Sequence, residues 1–180
     1  MITIGLDLSL VKTGVVIIQD DGKVLYSGLV KSKPTGDKPI DETMRIKKIA
    51  EDVMEKIDEI IPNINPDIVA IEGMAFMAVG TSLVQLSGLN YLIRMLISEF
   101  NWPFVIVAPT SLKKYITGSG KGEKDMVTMA VYKNYGFEAG DNNISDAFAL
   151  AACAMALLGK PLKEITKPQS EVISLLKKQI

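Results

Sequence analysis

Ile2-Thr3-Ile4-Gly5-Leu6-Asp7-Leu8-Ser9 and Ile68-Val69-Ala70-Ile71-Glu72-Gly73 are the two stretches on which the fold turns. Each is a short apolar run closing on an acid, the pattern of a buried strand that ends at a polar edge. Laid side by side in parallel, the two strands bring Asp7 and Glu72 out at the same carboxyl edge, where α/β folds bind ligands. Working outward, residues 14–19 form a second, β-branched run, Asp20-Asp21-Gly22 marks a turn, and residues 23–30 resume with alternation. That is a hairpin following the first strand. Residues 31–39, with Pro34, Gly36 and Pro39, carry no period and read as loop.

Helical spacing then takes over at Ile46, Ile49, Val53, Ile57 and Ile60, with Asp41 as the expected cap and Pro62 as the stop. After the Glu72 strand, residues 81–100 predict a long, mostly apolar helix whose only charges are Arg94 and Glu99. Its hydrophobic surface exceeds what one core face needs, which points to an oligomer contact. A strand over 103–108, a short helix after Pro109, and helices over 123–134 and 144–158 complete the pattern. The order predicts an α/β layer fold with a mixed five-stranded sheet, antiparallel at its start and parallel in continuation. One domain is expected over 1–159, followed by a tail over 160–180 whose end, with Val172, Leu175 and Leu176, is amphipathic and helical.

Composition restricts the chemistry. The 180 residues include no histidine and one cysteine, Cys153, so no Ser-His-Asp triad, Cys-His pair, disulfide or His/Cys zinc site exists within the chain. No signal-type segment or long uncharged apolar run is present, so a cytoplasmic, membrane-free protein is expected. Asp7, Glu72 and Asp146 stand at the ends of apolar strands or inside an apolar helix, where an ionised carboxylate is costly without a cation. Each acid alone reads equally well as a turn or cap; three together point to a hard divalent ion, Mg²⁺ or Mn²⁺, bound through oxygen. Asn143 shares a helix face with Asp146 and is a candidate further ligand or water-orienting group. Asp141, near the helix start, suits ligation or capping.

Lys113, Lys114, Lys121 and Lys124 fall within twelve residues, interleaved with Gly118, Gly120 and Gly122. Glycine-rich backbone approaches phosphates closely and lysines add charge, so the segment reads as a DNA-phosphate contact or as a solvated loop. It fails the P-loop spacing. Phe76, between Gly73 and Gly80, suits wedging into a base stack, a dimer contact or the core.

These residues together resemble the RuvC-type Holliday-junction resolvases, most of all their shorter bacteriophage members. The matching pieces are Ile4-Gly5-Leu6-Asp7-Leu8-Ser9 through Gly14, Ile71-Glu72, and Ala108-Pro109-Thr110-Ser111-Leu112-Lys113. Gly118-Ser119-Gly120-Lys121-Gly122-Glu123-Lys124 and Ser145-Asp146-Ala147-Phe148-Ala149-Leu150-Ala151 follow in the same order. The resemblance implies an RNase H-like fold, a homodimer, and Mg²⁺-dependent paired nicking of four-way-junction DNA in recombination, repair or phage DNA processing. For a phage-encoded protein the compartment would be the bacterial host's cytoplasm. The resemblance places Asp7, Glu72 and Asp146 at acidic catalytic positions, and Lys113 and Lys124 at basic positions linked to DNA contact and catalysis. Phe76 stands near, but not at, the spacing of the family's junction-inserting aromatic. One departure is Asn143, where the cellular enzymes carry a fourth acid; Asp141 compensates, or the second metal is held by fewer charges. RNase H-like nucleases of rRNA maturation share the first and last acids, so the fold alone does not name the substrate. The alternative is a non-catalytic binder of branched DNA or nucleotide. The sequence names no partner helicase.

Overall fold

The computed structural model describes residues 1–74, 80–119 and 125–180. Strands β1 (Ile2–Asp7), β2 (Lys12–Gln19), β3 (Val24–Lys31), β4 (Ile68–Glu72) and β5 (Phe104–Val107) form one sheet in the order β3-β2-β1-β4-β5. The first three pair antiparallel, and β4 and β5 run parallel to β1, as the order of sequence patterns predicts.

Alternation along the strands sorts the core into two layers. Ile4, Leu6, Val15, Ile17, Val69 and Ile71 pack against helices α1 (Pro39–Ile60) and α2 (Thr81–Glu99). Val16, Ile18, Ile68, Ala70, Val105 and Val107 face helix α5 (Asn142–Leu157) and its neighbours α3 (Pro109–Thr117) and α4 (Asp125–Tyr135). Burying both faces of the sheet explains why its strands read as nearly continuous apolar runs.

Element boundaries differ from the sequence expectation mainly at caps. Helix α1 starts at Pro39, with Lys38 as the cap residue rather than Asp41. Asp41 sits in the first turn, where its carboxylate accepts the Lys38 N–H at 3.3 Å. Helix α3 runs on to Thr117 and stops at Gly118, whose φ of 80° lies in the left-handed region. Glycine pays no steric penalty there. The final stretch forms helix α6 (Lys167–Leu176) and a 3-10 turn over Lys177–Gln179. Val172, Ile173 and Leu176 of α6 are buried, whereas Leu175, expected on the apolar face, is 53% exposed.

Candidate active site

Helix α5 lies across the middle of the sheet because two glycines let its backbone come close. A Cβ on Gly5 would stand 2.6 Å from the Ala151 amide nitrogen and nearer still to the Ala147 carbonyl oxygen. Gly14, paired with Asp7 across β1 and β2, meets the Asn143 carbonyl in the same way. The Thr3 hydroxyl, fully buried, donates to the Ala151 carbonyl at 3.2 Å and pins the helix further down. Thr3, Gly5 and Asp7 alternate onto the face that α5 covers, and so do Ile68, Ala70 and Glu72 on β4.

The parallel register Leu6↔Ile71 sets Asp7 beside Glu72 as the strands leave the sheet. Asp146 is carried in by the second turn of α5, between the Asn143 and Ala147 carbonyls that rest on the glycines. The three acids line one cleft of about 440 Å³ together with Ser9, Lys113, Asn142 and Asn143. Asp7 is 8% exposed; Glu72 and Asp146 are half-buried.

Among the described residues, no three acidic, His or Cys side chains already converge tightly enough to enclose an ion. The donor set still fits a hard divalent cation. It consists of carboxylates and a carboxamide, and the cleft is open enough for water and phosphate oxygens to fill the remaining positions.

Asn143 and Asp141, the two ambiguous residues, divide their roles. Asp141 caps α5, accepting the Asn143 backbone N–H at 3.0 Å, and forms an ion pair with Lys12 at 3.0 Å. The Lys12 hydrogen bond, with help from the Asn143 N–H, holds its carboxyl below the ordinary value. Asp141 is not among the residues lining the cleft. Asn143 does line it, and its side-chain N–H donates to the Lys12 carbonyl, tying α5 to the start of β2. Only its amide oxygen remains able to serve a cation.

Of the four lysines, the two that are described, Lys113 and Lys114, face different ways. Lys113 lines the cleft, whereas Lys114, one residue on, pairs with Glu171 of α6 at 2.5 Å. Lys121, Lys124 and Phe76 lie outside the described residues. Two cleft residues have no counterpart in the sequence expectations: Asn142, whose side-chain oxygen accepts the Thr128 hydroxyl at 2.9 Å, and Asn90 of α2. The signal for Asn90 is a carboxamide inside a mostly apolar helix, one of two there with Gln85.

The family profile described as crossover junction endodeoxyribonuclease RuvC matches residues 3–154. The chain belongs to the RuvC family. A RuvC relative from Orientia tsutsugamushi (strain Ikeda) is 31% identical over 134 residues, spanning 73% of this chain and 79% of that protein. One from Prochlorococcus marinus (strain MIT 9303) is 28% identical over 155 residues, 82% of this chain and 94% of that protein. Thermus thermophilus RuvC, solved in complex with a Holliday junction substrate, superposes with a TM-score of 0.71 at 22% identity. That match covers 90% of this chain and 99% of the Thermus chain, and it establishes the shared RNase H-like fold. RuvC proteins are metal-dependent endonucleases, so the chemistry expected of the cleft is phosphodiester hydrolysis.

Proposed function

We propose that this RuvC-family chain resolves Holliday junctions by Mg²⁺-dependent hydrolysis, with Asp7, Glu72 and Asp146 as the metal ligands. The observation that carries this is the gathering of three acids from two adjacent strands and one helix into a single cleft with Lys113. Held by these residues, Mg²⁺ would supply an activated water and charge neutralisation at the leaving 3′ oxygen. Asp7, the most buried of the three and the last residue of β1, the middle strand of the sheet, would be the central metal ligand. Asn143 adds no charge, so the site carries three negative side chains; its amide oxygen is suited to orient a water.

Lys113 faces the same cleft and holds the scissile phosphate against the acids, an electrostatic contact set up before reaction. Lys121 and Lys124 belong to the same proposal as DNA-phosphate contacts, with Lys124 neutralising charge on the scissile phosphate. Lys114, engaged by Glu171, contributes less to DNA contact than its neighbour. Val84, Tyr91 and Met95 on α2 are 71%, 61% and 60% exposed, an apolar face suited to a second copy of the chain. A two-fold dimer presents two clefts to two of the four strands of a four-way junction. Among the described residues no helix is long and apolar enough to cross a membrane.

The test is Asp7→Asn. Junction binding, followed by gel shift in Ca²⁺, is expected to persist and to weaken steeply with salt, while cleavage in Mg²⁺ is lost. Cleavage of a synthetic four-way junction at the parent rate would overturn the metal-site assignment.

A further inference from the structure

The buried carboxamide of Asn90 sits in the wall between the cleft and the outer face of α2. Asn90 is 4% exposed, and its side-chain N–H donates to the main-chain carbonyl of Glu72 at 3.3 Å. The peptide after Glu72 gives its N–H to the Val107 carbonyl of β5 at 2.8 Å. A trans peptide therefore aims the Glu72 carbonyl to the opposite side, toward β1. The β1·β4 ladder ends there, at Leu6↔Ile71. Asn90 thus takes over where strand pairing stops, at the residue whose side chain turns into the cleft.

The helix that carries Asn90 is itself held in place. Leu89, Ile93 and Ile97 are fully buried against the sheet, while Tyr91, the next residue, is 61% exposed on the outer face. One turn earlier, the Ser87 hydroxyl donates to the Leu83 carbonyl and lies 3.3 Å from the Met74 sulfur. Helix α2 therefore touches the chain at both Glu72 and Met74, on either side of Gly73. Taking the donor from this part-buried carbonyl costs free energy, and a shift of the strand end is a way to relieve it.

We infer that Asn90 is a positioning residue: by holding the Glu72 main chain it fixes the Glu72 carboxylate, and it couples α2 to the affinity of the site for its metal. The inference rests on the assignment of Glu72 as a ligand. It is tested with Asn90→Leu, which keeps the branching at Cγ and removes the donor, beside Glu72→Gln and Ile93→Val. Mn²⁺ affinity is measured on the DNA-free protein by the electron paramagnetic resonance signal of free Mn²⁺. The half-saturating Mg²⁺ concentration for junction cleavage is measured well below each variant's melting temperature.

Asn90→Leu is expected to weaken Mn²⁺ binding and to raise the half-saturating Mg²⁺ by roughly tenfold, the factor equivalent to about 1.4 kcal/mol. Ile93→Val, which loosens the same helix without touching Glu72, is expected to lower the melting temperature and leave both metal readouts unchanged. Asn90→Leu with metal affinities within twofold of the parent, while Glu72→Gln loses Mn²⁺, overturns the role of Asn90 alone. Equal shifts in Asn90→Leu and Ile93→Val also overturn it, because loosening the helix would then be sufficient. Normal Mn²⁺ binding by Glu72→Gln removes Glu72 from the site, and the inference falls with it.

Discussion

Replacing Gly5 with alanine separates the two halves of the active site by a calculable amount. The added methyl would lie 2.6 Å from the Ala151 nitrogen, and the obstructing atoms are helix backbone that no rotamer change can move. Ordinary carbon contacts begin at about 3.5 Å and the Ala147 carbonyl is nearer than the nitrogen, so α5 must back away from β1 by at least about 1 Å. Two energies oppose each other. Alanine in a strand interior gains about 0.5–1 kcal/mol over glycine in backbone entropy. Overpacking a filled core costs about 1–3 kcal/mol, and the upper end applies because a whole helix has to shift. The clash wins, leaving a net loss of about 2 kcal/mol, or about 4–8 °C in melting temperature for a chain of this size.

The catalytic loss is larger than the stability loss. Asp7 sits two residues along the same strand face from Gly5, and Asp146 precedes Ala147, the residue first pushed away. A misplacement of about 1 Å in a reacting constellation costs about 10²-fold in rate. Single-turnover cleavage of a four-way junction, measured well below the melting temperature, is therefore expected to fall about a hundredfold while the far-ultraviolet circular dichroism spectrum is kept. Gly5→Ala with parent stability and a cleavage rate within threefold would refute the claim that close approach of α5 assembles the site.

Asp141→Ala removes the α5 cap and the Lys12 partner, and is expected to destabilise the protein by about 1 kcal/mol at neutral pH. The Asp141 pKa is depressed in the folded protein, so its stabilisation is present above the ordinary carboxylate range and is lost as pH falls through the folded value; the melting temperatures of parent and variant should converge in acid. Cys153 is fully buried in α5 and its thiol is pushed up to about 12 by burial, so Ellman's reagent at pH 8 should label it only after unfolding.

The apolar runs of Ile2–Asp7 and Ile68–Glu72 carried most of the fold, because a buried strand that ends in an acid constrains both its layer and its edge. The three cleft acids were legible for the same reason: each interrupts an apolar pattern that would otherwise continue. The lysines were not separable, since Lys113 and Lys114 lie about 100° apart around α3 and only tertiary contacts decide which one faces the cleft. Asp141 remained ambiguous between ligand and cap because that choice depends on where the helix backbone begins, which spacing places only to within a residue or two. Gly5 and Gly14 were visible as motif letters, but the helix backbone that requires them arrives from more than 120 residues away in sequence. Asn90 is hard to single out because a carboxamide scarcely disturbs an apolar helix pattern that also holds Gln85, although burial makes its hydrogen bond count.

The C-terminal residues bear on where the folded unit ends. The family match stops at residue 154, yet α6, which starts at Lys167, contributes Val172, Ile173 and Leu176 to the same buried layer as α3 and α5. Beyond it, the Gln179 side chain accepts the Ile106 N–H and donates to the Ile106 carbonyl, both at 2.9 Å. Strand β5 is the sheet's edge, and unpaired groups on an edge strand invite pairing with another chain. One glutamine amide satisfies both polar groups of Ile106 as a neighbouring strand would, while Glu171 holds Lys114 on the adjoining helix. Cutting the chain after residue 159 would therefore expose apolar core, open an edge strand and release a cation next to Lys113. The physical unit that supports the cleft is better drawn to include α6 than to stop before it.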